Sequence, residues 1–143
     1  MRKTRVLFLC TGNSARSQMA EAFLRKHASD RFEVYSAGLE PKGINPHTVR
    51  VMGEVGLSLA EHRSKPLTEY MGQVDFHFLI TVCDDADENC PFFPAMGERL
   101  HWGLEDPAAF LGSEEETLAK FREVRDQIDE RTRAWLAAED VGD

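Results

Sequence analysis

Apolar positions along this chain follow two patterns, short continuous runs and longer stretches with a helical period, and the two alternate. The run Arg5-Val6-Leu7-Phe8-Leu9 is too short for a typical helix and nearly all apolar. It predicts a strand buried on both faces, hence the first and central strand of a sheet. Residues 32–36, 76–82 and 99–102 are rich in β-branched or aromatic side chains, and helical stretches separate most of them. The alternation predicts a three-layer α/β domain, a four-stranded parallel sheet flanked by helices. Asn45 followed by Pro46 reads as a cap and a favoured first helical residue, and Gly56 closes that segment. Ser113 and Glu116 form a capping box, after which Leu118, Phe121, Val124, Ile128 and Trp135 recur near a helical period. That spacing predicts a long amphipathic helix over residues 114–138. Trp135, and Met19 and Phe23 on the first helix, are assigned to the core rather than to a site.

Composition narrows the picture. The 143 residues, 42% of them hydrophobic, suit a single domain with one core. No apolar run approaches the roughly 20 residues of a membrane helix, and the N-terminus lacks a signal peptide's apolar region. A soluble, cytoplasmic protein is the expectation, with no membrane partner. A net charge of -8 argues against nucleic-acid binding, which is driven by clustered Lys and Arg, so any anionic substrate must be held by local donors. Three cysteines make an odd number for a secreted disulfide framework, and cytosolic thiols stay reduced unless a disulfide belongs to a reaction cycle.

The chemistry gathers at the first strand-to-helix turn, Cys10-Thr11-Gly12-Asn13-Ser14-Ala15-Arg16-Ser17, which opens a helix running to about residue 27. Small residues let successive backbone N–H groups point into one concavity, and a helix N-terminus adds positive partial charge, so a tetrahedral oxyanion fits there. Arg16 supplies a planar two-pronged donor for two oxygens at once, the expected substrate clamp. The same field favours a thiolate, so Cys10 is expected to titrate below an ordinary thiol, with the Ser17 hydroxyl helping to hold it. The plain alternative is that Cys10 is a small buried residue ending a strand. Strand, Cys, five residues, Arg-Ser and helix form a far more specific pattern than a lone cysteine.

The segment from Cys10 to Ser17 resembles the phosphate loop of the low-molecular-weight protein tyrosine phosphatase family. One branch hydrolyses phosphomonoesters through a phosphocysteine, and the other comprises thioredoxin-coupled arsenate reductases, which this chain resembles from Cys10 to about Arg125. The resemblance implies a flavodoxin-like strand order, 2-1-3-4. The segment Val82-Cys83-Asp84-Asp85-Ala86-Asp87-Glu88-Asn89-Cys90-Pro91 separates the branches, since phosphatase chemistry needs one thiol and this stretch adds two. A cysteine pair on a polar segment after a strand is expected to be accessible and mobile, with the repulsion among Asp84, Asp85, Asp87 and Glu88 favouring movement. Two unconnected packing cysteines or half of a zinc site are the alternatives, and no second Cys or His pair stands at metal-ligand spacing. As a regular helix, residues 83 to 90 would hold the two Cα atoms roughly 10 Å apart, beyond disulfide reach, so the segment must loop or unwind to oxidise.

Glu105-Asp106-Pro107-Ala108 follows the fourth strand, and the resemblance makes Asp106 a general acid aimed by its proline. It further implies a relay in which Cys10 is the nucleophile, Cys83 and Cys90 the redox pair, and thioredoxin the reductant, with glutaredoxin as second choice. An arsenate- or phosphate-like oxyanion would be the substrate, with no bound cofactor and a monomeric enzyme. Departures are visible. Ala15 stands where many reductases of this family have another cysteine, and Ala108 and Ala109 replace the aromatic residue that phosphatases carry. Some members bind potassium beside the loop through Asn, Ser and a carboxylate. Asn13 and Ser36 remain, but Lys65 stands at the carboxylate position, where its ammonium would repel a cation, so no metal is expected. The five histidines are scattered and read as surface or packing residues. A phosphatase, or a redox-sensing anion-binding module, are the alternative functions.

Overall fold

The computed structural model describes residues 3–90 and 97–141, with side chains through residue 138 of the last helix. Strands β1 (Thr4–Cys10), β2 (Phe32–Gly38), β3 (Phe78–Thr81) and β4 (Glu98–His101) form one parallel sheet in the order β2-β1-β3-β4, the order expected. Helices α1 (Arg16–Ala28), α2 (Pro46–Glu54), α3 (Asp84–Asn89) and α4 (Glu114–Val141) connect and flank the strands. β1 is paired on both sides, and Val6, Leu7, Phe8 and Leu9 are completely buried, so its unbroken apolar run is the signature of its central place. The third strand is shorter than predicted at both margins, and the fourth has the predicted length shifted by one residue. His77 N–H still donates to Arg5, Val82 N–H to Leu9 and Trp102 N–H to Thr81, so the ladder continues past the named ends.

The long amphipathic helix forms as α4, and its capping box closes in both directions: Glu116 N–H donates to Ser113 Oγ at 3.1 Å and Ser113 N–H to Glu116 Oε1 at 3.0 Å. Leu118, Phe121, Val124 and Ile128 are buried, and α4 packs on α1 and α2. Trp135 meets Phe32 at 5.4 Å, Phe78 at 5.2 Å and Trp102 at 6.3 Å between ring centroids, an aromatic cluster joining α4 to the sheet. Asn45 Oδ1 accepts from His47 N–H at 2.8 Å, so α2 starts at Pro46 as the pattern predicted.

One expectation is corrected. The acidic segment after β3 is not an open, self-repelling stretch but the six-residue helix α3, with Cys83 and Cys90 at its ends and both buried. Three of its four carboxylates are occupied: Asp84 by His101, Asp85 by Thr11 and Asn89, Asp87 by Arg99 and Thr81. Pairing with neighbours offsets the repulsion that a sequence reading sees, and Ala86, fully buried, anchors the helix below. Pro91, the last residue of the motif, lies outside the described residues.

Candidate active site

A parallel sheet delivers the carboxyl ends of its strands to one edge, and the residues expected to carry chemistry meet there. Cys10 ends β1, the loop Thr11–Ala15 turns above it, and Arg16 begins α1. Cys83 follows β3 by two residues, and Asp106 follows β4 by five. A cavity of about 630 Å³ is lined by the Cys10 loop, Arg16, Cys83, Asp84, Asp85, Leu104, Glu105, Asp106 and Ala108, with Lys42 at its side.

The Cys10 sulfur is buried within a shell of donors: Asn13 N–H lies 3.1 Å from Sγ and Ser17 Oγ 2.9 Å. Asn13 takes φ 48°, a left-handed conformation that asparagine tolerates better than most residues, and its side chain secures it. Nδ2 donates to Ser17 Oγ at 2.8 Å and to Ser36 Oγ at 3.0 Å, and Oδ1 accepts from Lys65 N–H at 2.9 Å. Gly38, at the end of β2, lets the loop lie close, since a Cβ there would stand 2.6 Å from Thr11 O and 2.9 Å from Asn13 N. Ser14 is tied to α2 through its carbonyl, which accepts from Asn45 N–H at 3.0 Å and Thr48 Oγ1 at 3.1 Å.

The expected depression of the Cys10 thiol is not what this shell produces. Burial is the largest influence and pushes the thiol up, the hydrogen bonds from Ser17 and Asn13 pull it down without prevailing, and the nearby Cys83 adds to the rise. The helix terminus favours the thiolate, but the sulfur is almost entirely desolvated.

Arg16 and Asp106 stand together across the cavity. Arg16 Nη1 donates to Leu104 O at 2.9 Å, and Nη2 is 3.6 Å from Asp106 Oδ2, so the fork is oriented at the cavity. Asp106 caps a 3-10 turn, Pro107–Ala109, by accepting from Ala108 N–H at 3.0 Å, while its carboxylate stays partly exposed. The Asp-Pro pair thus fixes the carboxylate through its own turn.

Cys83 enters from the other side. Its sulfur accepts from Ala86 N–H at 3.4 Å, capping α3, and lies 3.4 Å from Thr11 Oγ1, which donates to Asp85 at 2.6 Å. Thr11 therefore bridges the nucleophile loop and the second cysteine. Cys90 sits at the far end of α3, where burial pushes its thiol up and the Arg99 guanidinium pulls it down. All three cysteines are thiols.

Beneath the loop lies a polar layer that sequence patterning missed. Gln18 and Glu21 are buried on α1, and Lys65 is buried beside them. Lys65 Nζ donates to Arg63 O at 2.7 Å and to Ser36 Oγ at 3.3 Å, and lies 3.9 Å from Glu21 Oε1. Its ammonium thus occupies the polar pocket beside Asn13 and Ser36, and burial pulls its pKa down against the opposing pull of Glu21. The one available signal was a glutamate on the apolar side of α1. Among the histidines, His62 pairs with Gln18 Oε1 at 2.9 Å and His101 with the cavity-lining Asp84 at 3.0 Å. Lys42, at the cavity wall, carried no signal in its spacing. Among the described residues no helix is long and apolar enough to cross a membrane, and no group of three or more His, Cys, Asp or Glu side chains is placed to hold a metal ion.

Residues 5–141 match the family model described as low molecular weight phosphotyrosine protein phosphatase. An arsenate reductase of Bacillus licheniformis is 46% identical over 136 residues, covering 94% of this chain and 96% of that protein. A solved arsenate reductase in the phosphate binding state superposes with a TM-score of 0.78 at 30% identity, over 94% of this chain and 98% of that one. A thioredoxin-dependent arsenate reductase of Corynebacterium glutamicum matches with a TM-score of 0.73 at 30% identity, over 99% of this chain and 64% of that one.

Proposed function

We infer the function of this chain from the family to which it belongs, the low molecular weight phosphotyrosine protein phosphatases: it reduces arsenate to arsenite by a three-cysteine relay. The observation that carries the reading is the second thiol in the nucleophile's cavity, since Cys83 lines the same space as Cys10 and a third cysteine ends the same short helix. Phosphoester hydrolysis has no use for either. The 46% identical relative named arsenate reductase and the thioredoxin-dependent structural neighbour support the same reading.

The Cys10 thiolate attacks arsenic, held by the loop's N–H groups and the Arg16 fork, while Asp106 protonates the departing hydroxyl. Cys83 then attacks the Cys10 sulfur. An S–S bond forms between them, the sulfur–arsenic bond breaks, and its electron pair stays on arsenic, which leaves as arsenite. Cys90 attacks Cys83, Cys10 departs as thiolate, and the resulting Cys83–Cys90 disulfide is reduced by the dithiol of thioredoxin. Thr11, Gly12, Asn13, Ser14, Ala15 and Ser17 supply the oxyanion cradle. We read the chain as one catalytic domain, acting as a cytoplasmic monomer with no bound cofactor.

Replacing Cys90 by Ser tests the relay. One arsenite per enzyme molecule and accumulation of a Cys10–Cys83 disulfide are expected after arsenate addition, with phosphomonoester hydrolysis little changed. Repeated arsenite release at the wild-type rate would remove Cys90 from the mechanism.

A further inference from the structure

The relay as read above leaves unexplained what keeps α3 folded. A helix of six residues is too short to hold itself, because helices under about 12 residues are marginal in water. Its two cysteines also cannot join while it stands: seven residues of helical rise separate their Cα atoms by roughly 10 Å, and a disulfide needs less than about 7 Å. Contacts that keep α3 helical therefore exist in the dithiol form and must be lost in the Cys83–Cys90 disulfide.

Those contacts come largely from two side chains of β4. Arg99 and His101 are two residues apart on that strand and so share a face, paired in register with Leu79 and Thr81 of β3. Arg99 Nη2 donates to the main-chain carbonyl of Asp87, in the last turn of α3, and lies 3.4 Å from the Asp87 carboxylate. His101 Nε2 is 3.0 Å from Asp84 Oδ1, at the first residue of α3, while its Nδ1 is 2.8 Å from Thr81 Oγ1. Thr81 Oγ1 in turn donates to Asp87 at 3.3 Å, so both ends of the helix are tied to the edge of the sheet.

We propose that Arg99 and His101 are positioning residues of the relay, a clamp that holds α3 helical through Asp87 and Asp84 in the dithiol form and must release before Cys90 reaches Cys83. While closed, it keeps Cys83 against Thr11 and facing Cys10, ready for the first exchange. While open, it lets the Cys90 sulfur attack Cys83, forming one S–S bond as the Cys10–Cys83 bond breaks and Cys10 leaves with the electron pair. A contact made in only one of two states favours that state. The clamp thus favours the dithiol, raises the reduction potential of the pair, and makes its disulfide easier for an incoming dithiol to reduce. The proposal rests on the relay reading, but its measurement does not require arsenate.

The test is the equilibrium between dithiol and disulfide at Cys83 and Cys90, measured in a Cys10→Ser background against dithiothreitol redox buffers, with acid quenching, alkylation and peptide mapping. Arg99→Met should shift the equilibrium about tenfold toward the disulfide, a potential about 30 mV more negative. His101→Gln and Asp87→Asn should move it in the same direction by less, and Arg99→Lys should recover part of the loss. A residue that only stabilised the fold would lower the melting temperature of both redox forms alike and leave the potential unmoved. An unchanged or more positive potential in both Arg99→Met and Asp87→Asn would overturn the clamp, as would failure of the pair to form a disulfide in any buffer. If the potential moves as expected but arsenate leaves wild-type Cys83 and Cys90 as thiols, the clamp stands and the arsenate reading falls.

Discussion

At the residue scale the site is governed by competition between burial and hydrogen bonding at Cys10. Burial lifts the thiol, and the donors at Ser17 and Asn13 oppose it, so holding the thiolate depends on those donors. Below the thiol pKa the thiolate fraction rises tenfold per pH unit, so alkylation of Cys10 should climb with pH beyond the range of an ordinary thiol. Ser17→Ala removes one of the groups that lower the thiol. It should shift the alkylation profile to higher pH and reduce neutral-pH turnover roughly tenfold, the loss of one hydrogen bond to a charged group. A profile that moves to lower pH would show that Ser17 does not stabilise the thiolate. Arg16 is held by Leu104 and Asp106 so that its fork meets the cavity, and a lysine cannot copy two parallel donors. Arg16→Lys should lower kcat/KM for arsenate by about two orders of magnitude, comparable to losing an oxyanion donor, with an unchanged melting temperature. Steady-state kinetics beside thermal unfolding decides it, and near-normal kinetics would remove the clamp role.

At the scale of elements, strand-to-loop packing holds the catalytic loop in shape. Gly38 terminates β2 where the backbone of Thr11 and Asn13 passes closest, and a methyl group there meets Thr11 O, Asn13 N and Asn13 Cβ, none of which can swing aside. Gly38→Ala should therefore cost about 1–3 kcal/mol of stability through overpacking. Its loss of arsenate turnover should be larger, about a hundredfold, because small misplacements of reacting groups are expensive. Chemical denaturation and kinetics on the same variant compare the two, and a loss of stability without loss of turnover would contradict the argument. The contrast between what the sequence predicted and what the structure added is plainest here. β1, α2 and α4 were legible because each is written in local signals: an unbroken apolar run, an Asn-Pro cap, a Ser113–Glu116 box with apolar residues at helical spacing. The loop was legible because its chemistry is contiguous. α3 was not, because its helicity depends on Arg99, His101, Thr81 and Thr11, which are distant in sequence and reach it only through strand pairing. The burial of Gln18 and Glu21 beneath Lys65 was hidden for the same reason, since each is polar by type and buried only by tertiary placement. The upward push on the Cys10 thiol has no local sequence mark, because desolvation is a property of the whole packed site.

At the scale of the whole molecule, an enzyme proposed to bind an oxyanion carries a net charge of -8, and the imbalance persists at the cavity. Arg16 and Lys42 are the cationic side chains of its lining, against Asp84, Asp85, Glu105 and Asp106. Attraction at long range cannot then be what brings arsenate in. The anion must be recruited by short-range donors, the loop N–H groups and the Arg16 fork, whose hydrogen bonds act only on contact and are little affected by salt. Beyond contact distance the field is repulsive, and it is screened as the Debye length falls from about 30 Å at 0.01 M to about 8 Å at 0.15 M ionic strength. Raising sodium chloride over that range should therefore increase kcat/KM for arsenate, by about twofold, where an enzyme that steers its anion electrostatically would lose activity. Neutralising the rim should have the same sign at low salt: Glu105→Gln leaves the proposed general acid and clamp in place and should raise kcat/KM while flattening its salt dependence. Glu105 also engages Lys120 at 2.8 Å, so part of its charge is already compensated and the effect should be smaller than removal of an isolated carboxylate. Initial rates at subsaturating arsenate across a chloride series, for both forms, carry the comparison. A kcat/KM that falls with salt in the wild type would mean that the positive partial charge of the loop and helix terminus outweighs the four rim carboxylates well beyond contact range.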